Sequence, residues 1–262
     1  MKFFIILFLM IICIIFRRIL LNLPKLIYWF IYDRFHDNKD IFKPYGCWFF
    51  VGKQGAGKTI SMVEQLERFR KEYPKVKIYT NMGYKYETAP LQSLNDLLNR
   101  DLYNGEFGTI FVIDEIQNEF SASTSKDFPE SVLSLVTQQR KEHILILTTS
   151  QVFTRVSKPL REQCYRAIEC STIFGRYTMC KHYDGIEYAD AVDKSIDYKA
   201  EHRPRLEYHS FVQSNKLREC FDSYRLIERL SRVGFSPKIV DNTTVNNNVV
   251  ITDSRIARRA MR

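Results

Sequence analysis

The chain has 262 residues, 45% of them hydrophobic and 26% charged, with a formal net charge of +9, which excludes a disordered or low-complexity protein and allows one α/β domain of about 180 residues with additions at either end. The charge sits mostly at the termini, +4 over residues 1–45 and +3 over 238–262, leaving +2 for the body. Anionic lipid or nucleic acid suits those ends, while no basic stripe in the body argues directly for DNA.

Phe3 to Phe16 is uninterrupted apolar sequence, short of the roughly 20 residues a spanning helix needs. Arg17-Arg18 follow, then a second apolar stretch, Ile19 to Tyr32. No small-residue cleavage site follows the run, which favours a retained anchor over a signal peptide. Arg17, Arg18 and Lys25 after the run predict that the rest of the chain faces the cytoplasm, as a single-pass protein of the cytoplasmic (inner) membrane of the host cell. Leu26 to Phe35, with Tyr28, Trp29, Phe30 and Tyr32, is expected to form an aromatic belt at the inner interface. Residues 1–34 are thus the expected membrane anchor, and 45–236 the expected folded domain.

Cys47 to Val51 predicts a strand, and Gly52-Lys53-Gln54-Gly55-Ala56-Gly57-Lys58-Thr59 completes the G-x-x-x-x-G-K-[ST] phosphate-binding pattern. The next apolar residues, Ile60, Val63, Leu66, Phe69 and Tyr73, recur at helical spacing and stop at Pro74. A strand, a glycine loop and a helix in that order bring backbone N–H groups and the positive helix end onto a nucleotide's phosphates. Lys58 supplies a charge near the β and γ phosphates, and Thr59 a ligand for Mg²⁺.

Lys75 to Thr80 reads as another strand and Leu91 to Leu98 as a short helix. Thr109 to Ile113 is a β-branched and aromatic run suited to a strand covered on both faces, and it ends in Asp114-Glu115. Asp114 is expected to hold Mg²⁺ through its water shell, and Glu115 to polarise the water that attacks the γ-phosphate. Ser121 to Ser125 reads as a solvated loop, and Phe128 to Lys141 as a helix with Leu133, Val136 and Thr137 on one face. His143 to Leu147 predicts a third strand leading into Thr148-Thr149-Ser150-Gln151. Gln151 is the expected γ-phosphate sensor, with Thr149 second.

Tyr165 to Phe174 and Arg176 to His182 suggest added strands, Val192 to Tyr208 has a weak pattern, and 237–262 reads as a polar linker with a basic tip. The six cysteines (13, 47, 164, 170, 180 and 220) lack paired short spacings and read as free thiols. Cys164, Cys170, Cys180 and His182 match no usual zinc spacing. Alternating strands and helices call for a P-loop NTPase fold, α/β, with a mostly parallel sheet flanked by helices and preceded by a transmembrane or interfacial helix. No Asn/Thr-Lys-x-Asp motif follows the loop, which favours ATP over GTP as the nucleotide. Lys53 suggests the deviant loop of membrane-surface partitioning ATPases, but Gln54 breaks that pattern. Type IV coupling proteins share an anchor before the loop, but their inserted helical domain has no room here.

The tract from Thr109 to Phe120, TIFVIDEIQNEF, followed by a helix ending in Gln139-Arg140-Lys141 and then ILILTTSQ, resembles the amino-terminal domain of the zonular-occludens-toxin (Zot) family, which includes filamentous-phage (inovirus) assembly ATPases. The resemblance covers roughly residues 46–175. It implies a homo-oligomeric ring at the membrane in which ATP hydrolysis drives assembly and extrusion of a DNA-containing filamentous particle. Implied partners are phage coat and assembly proteins and single-stranded DNA. Arg140, matching an arginine of the family pattern, is implied to complete a neighbouring subunit's site, with Arg161 as the alternative. Known members place their membrane segment after the ATPase domain, whereas here it comes first. The neighbouring readings are a packaging motor of another virus or mobile element, and a membrane-bound switch that binds ATP without motor activity.

Overall fold

A computed structural model describes residues 17–36, 38, 40–123, 128–193 and 205–222. Helix α1 (Arg17–His36) is followed by β1 (Gly46–Val51), α2 (Lys58–Glu72), β2 (Lys77–Thr80), β3 (Ala89–Pro90) and β4 (Thr109–Ile113). Then come α3 (Glu130–Glu142), β5 (Ile144–Ser150), a short α4 (Lys158–Arg161), β6 (Cys164–Ile173), β7 (Tyr177–Asp184), α5 (Gly185–Asp193), β8 (Glu207–Val212) and a short α6 (Asn215–Arg218). One eight-stranded sheet runs β3-β2-β4-β5-β1-β6-β7-β8. Every pairing from β3 to β6 is parallel, and β7 and β8 add antiparallel.

Strand alternation sends successive side chains to opposite faces, so each central strand feeds two cores. Phe49, Phe111, Ile113, Ile144 and Ile146 face one, with Val132, Leu135 and Val136 of α3 and Tyr188 and Ala189 of α5. Trp48, Phe50, Ile110, Val112, Leu145 and Leu147 face the other, with Met62, Val63, Leu66 and Phe69 of α2. Crossover helices on both faces leave the C-terminal ends of the parallel strands along one edge, where the loops can gather a site.

Several expectations shift. β5 runs through Ser150 because Thr148, Thr149 and Ser150 are fully buried and bonded: the Thr148 hydroxyl donates to Ile113 O at 2.9 Å and the Ser150 hydroxyl to Val152 O at 3.1 Å. The buried stripe of α3 is Val132, Leu135, Val136 and Gln139, one step round from the expected Leu133, Val136 and Thr137. A polar residue, Gln139, within the buried face hid that register. Leu94–Leu98 is a 3₁₀ turn, and α5 lies in a stretch where no helix was expected. The five described cysteines are free and buried.

Among the described residues no helix is long and apolar enough to cross a membrane. The apolar run expected to anchor the chain, Phe3 to Phe16, lies outside the described residues, as do Thr124 and Ser125 of the expected solvated loop and the polar tail 237–262. Helix α1 is described, and it exposes Leu21 (70%), Phe30 (70%) and Phe35 (81%).

Candidate nucleotide site

The phosphate-binding loop leaves β1 and enters α2 as expected. Gly57 sits before the first turn of α2 at φ 84° with no side chain capping the helix, so the leading N–H groups are open. A Cβ on Gly57 would lie 2.4 Å from Thr172 Oγ1, and one on Gly52 would lie 2.8 Å from Cys170 O, so glycine is required at both by space as well as by φ. The loop closes on itself through Ala56 N donating to Lys53 O at 3.1 Å, and Lys58 Nζ donates to the same carbonyl at 3.1 Å. Burial holds the Lys58 ammonium below its ordinary value, opposed chiefly by the Asp114 carboxylate. Lys53, Gln54 and Gly55 form the exposed crest of the loop, and Ala56 is half-buried.

β4 delivers the carboxylates to the same edge. Thr59 Oγ1 donates to Asp114 Oδ1 at 3.1 Å, and Thr149 Oγ1 donates to the same oxygen at 2.6 Å. Asn81, just past β2, clasps the Asp114 backbone: its Nδ2 donates to Asp114 O at 3.2 Å and its Oδ1 accepts from Asp114 N at 2.8 Å. Burial raises the Asp114 carboxyl above its ordinary value, while hydrogen bonds from Thr149 and Thr59 pull it back. A buried carboxylate touching a threonine hydroxyl is a hard-oxygen set, which fits Mg²⁺ completed by phosphates and water. Among the described residues no group of three or more His, Cys, Asp or Glu side chains forms an all-protein metal cage.

Glu115 takes the left-handed conformation, φ 54° and ψ 53°, which for a non-glycine residue costs about 1–3 kcal/mol. Its N–H donates to Thr149 Oγ1 at 2.8 Å. Its carboxylate accepts from Gln151 Nε2 at 2.8 Å on Oε1 and from Asn118 Nδ2 at 3.0 Å on Oε2. Because β5 lies between β4 and β1, Gln151 stands between the carboxylates and the phosphate loop. The structure therefore brings Lys58, Thr59, Asp114, Glu115 and Gln151 together. Thr149, expected as a second sensor, braces the carboxylate pair instead.

Arg140 is elsewhere. It lies in the last turn of α3, which runs into the start of β5, and its guanidinium sits 5.6 Å from the centre of the Tyr45 ring just ahead of β1. It is exposed at the end of the sheet opposite the phosphate loop, so it cannot serve its own chain's site. Arg161 is 7% exposed, donates through Nε to Val156 O at 3.0 Å and pairs with Asp193, which ties it to α5 and corrects the idea that it reaches a neighbour.

The added strands brace the loop. Thr172 Oγ1 of β6 donates to Ala56 O at 3.0 Å and lies 2.9 Å from Thr178 Oγ1 of β7. Gln213 Nε2 donates to Thr178 Oγ1 at 2.8 Å, and Arg218 Nη2 donates to Gln213 Oε1 at 2.6 Å. Asn81, Asn118 and Thr172 were not anticipated from sequence. Only Asn118, three residues after Glu115, carried a local signal, that of one turn of helix.

No protein-family model matches the chain, and no curated protein matches it. Among solved structures it is similar to the N-terminal domain of zonular occludens toxin from Neisseria meningitidis, at 18% identity and a TM-score of 0.48 over 68% of this chain and 98% of that one. It is also similar to the genome packaging NTPase B204 of Sulfolobus turreted icosahedral virus 2 in complex with ATP-gammaS, at 13% identity and a TM-score of 0.43 over 64% and 91%. The cytoplasmic domain of the Type VII secretion ATPase EccC from Thermomonospora curvata aligns at 10% identity and a TM-score of 0.42, with 66% of this chain on 24% of that one. At such identities, what the site can do follows from its own atoms.

Proposed function

We propose that the protein is a Mg²⁺-dependent ATPase, held at the inner membrane by its amino-terminal segment, whose hydrolysis drives assembly and extrusion of a filamentous, DNA-containing phage particle. The observation that carries the enzymatic part is the meeting of Lys58, Thr59, Asp114, Glu115 and Gln151 at one edge of the sheet. The Zot-like tract Thr109 to Phe120 supports the assembly role. The apolar run Phe3 to Phe16 and the exposed aromatics of α1 support the membrane.

The chemistry follows from the groups present. The open N–H groups of the loop and α2 hold the phosphates, and Lys58 exchanges its bond to Lys53 O for the β and γ phosphates. Thr59 and Asp114 would hold Mg²⁺, which when bound neutralises charge on the phosphate oxygens. Glu115 takes a proton from a water as that water's oxygen bonds to the γ-phosphorus, and the bond from phosphorus to the bridging oxygen breaks with its electrons staying on ADP. Gln151, bonded to Glu115 and facing the loop, is placed to sense the γ-phosphate. Arg140, on the far end of the sheet, reaches a site only in trans, where one subunit's strand starts meet the next subunit's strand ends in a head-to-tail ring.

Lys58→Ala should weaken nucleotide binding by about 10- to 100-fold, the worth of a charge-assisted contact. Glu115→Gln should bind ATP normally and lose about 10²- to 10⁴-fold in turnover. Equilibrium binding and phosphate release on the purified protein measure both, and full turnover by Glu115→Gln would remove that residue from the role of base.

A further inference from the structure

Beside the phosphate loop lies a cavity of about 600 Å³, walled on one side by Gly52 to Ala56 and on the other by β6, β7 and α5. That volume falls in the range of about 300–1,000 Å³ typical of small-molecule sites. Its position relative to the loop is fixed, because Thr172 of β6 bonds Ala56 O and the Gly52 backbone lies against Cys170 O. Lys58 is not part of its wall. A ligand whose phosphates sit on the loop and α2 would pass over the loop crest and place its remaining portion here.

The cavity's lining has a purine's chemistry. Val152, Phe153, Tyr188 and Val192 give apolar surface, and Glu169 and Lys181 give a carboxylate and an ammonium. Those last two are direct cross-strand partners in the antiparallel β6–β7 ladder, so a donor and an acceptor stand side by side. Adenine presents the matching pair on one edge, an exocyclic amine that donates beside a ring nitrogen that accepts. Guanine held in the same position would set its O6 acceptor against the Glu169 carboxylate and its N1–H donor against the Lys181 ammonium. The Tyr188 hydroxyl donates to Glu169 Oε1 at 3.4 Å, which leaves Oε2 as the open acceptor and suits the single amine of adenine.

We infer that this cavity is the nucleoside subsite, in which Glu169 accepts a hydrogen bond from the 6-amino group of adenine and Lys181 donates to the neighbouring ring nitrogen, making Glu169 the residue that selects ATP. The inference rests on the ATPase reading and deepens it.

The test is a binding series with the full-length protein: ATP, GTP, purine riboside triphosphate, which lacks the 6-amino group, and inorganic tripolyphosphate, which lacks the nucleoside. In the unmodified protein, ATP should bind about tenfold tighter than purine riboside triphosphate or GTP, the worth of one hydrogen bond to a charged group. Glu169→Ala should bring ATP down to the level of the purine analogue while tripolyphosphate binds as before, and Glu169→Gln should fall between. Equal binding of ATP, GTP and purine riboside triphosphate by the unmodified protein would overturn the assignment without any variant. An unchanged ATP preference in Glu169→Ala or Glu169→Gln with tripolyphosphate binding intact would overturn it as well. Failure of every triphosphate to bind would instead sink the ATPase reading and this one with it.

Discussion

Glu115 is held from three sides: Thr149 takes its N–H, Gln151 reaches one carboxylate oxygen and Asn118 the other. A carboxylate in that grip is aimed. Each oxygen keeps a lone pair for a water's proton, and Gln151 is the partner that a γ-phosphate on the loop could draw away, since β5 stands between β4 and β1. On the ATPase reading proposed above, Gln151 would have two duties, orienting the base before ATP arrives and reporting the phosphate afterwards. Gln151→Leu keeps the volume and removes both. Turnover should fall by about 10- to 100-fold, the worth of one charge-assisted hydrogen bond, with ATP affinity changed far less than in Lys58→Ala. Single-turnover kinetics beside equilibrium binding read the two separately, and a variant that hydrolyses at the unmodified rate would show that Gln151 touches Glu115 without serving it. The Asp114 environment follows the same logic. Its burial raises its carboxyl, and the hydroxyls of Thr59 and Thr149 only partly compensate, so a cation there would relieve a standing cost.

The antiparallel pair β7 and β8 is fastened to the body through β6 and to α2 through His209, whose Nε2 lies 3.3 Å from Glu64; His182 of β7 lies between Arg166 of β6 and Glu207 of β8. The His182 side chain is 3% exposed, and burial pushes its imidazole down to about 4 from an ordinary 6.5. Glu207 opposes the shift, while Arg166, His209 and Arg68 reinforce it. The sign is that of a depressed base: from pH 6.5 downward the unfolded chain takes up a proton that the folded chain refuses. Stability is therefore whole above pH 6.5 and declines as pH falls toward 4, by up to about 3 kcal/mol. Denaturant unfolding at pH 7 and pH 4.5 should show a smaller acid loss in His182→Gln than in the unmodified protein, and equal losses would mean that His182 is not the group responsible. The same elements show what was legible in sequence. β1, α2 and β4 were read nearly to the residue, because a glycine loop, a helical stripe and a continuous β-branched run are local patterns. The positions of Lys58, Thr59, Asp114 and Glu115 at the ends of these elements were legible for the same reason, and that of Gln151 from the strand before it. Asn81 and Thr172 were not, since their roles depend on which strands become neighbours: β2 beside β4, and β6 beside β1. Helix α5 was missed for a different reason. It is short and follows a strand directly, so its one local signal, Asp184 capping Ile186 N and Glu187 N at 3.0 and 3.1 Å with Glu187 three residues on, reads as the end of the strand.

The two cores of the sheet begin at Phe42, and among the described residues none earlier in the chain enters either one. Helix α1 contributes no buried side chain there; it turns out Leu26, Tyr28, Trp29 and Phe30 at 48% exposure or more, along with Ile27 and Phe35. Apolar and aromatic surface of that extent on a single helix is what an interfacial segment presents to a bilayer, and Pro24 inside the helix removes one backbone donor from its ladder. The nucleotide site, by contrast, draws all its groups from β1 onward and is braced from β6 to α6. Under the proposed function, membrane attachment and catalysis would fall to separate stretches of chain. Deleting residues 1–34 should move the protein from the membrane pellet to the supernatant while leaving ATP affinity within about threefold, a change of less than 1 kcal/mol. Fractionation at high salt and high pH, which strips peripheral contacts, together with nucleotide binding on the released protein, measures both halves. A truncated protein that stays in the stripped membranes would place an integral contact beyond residue 34. One that is released but no longer binds ATP would show that the amino-terminal segment shapes the site, against the proposed division of labour.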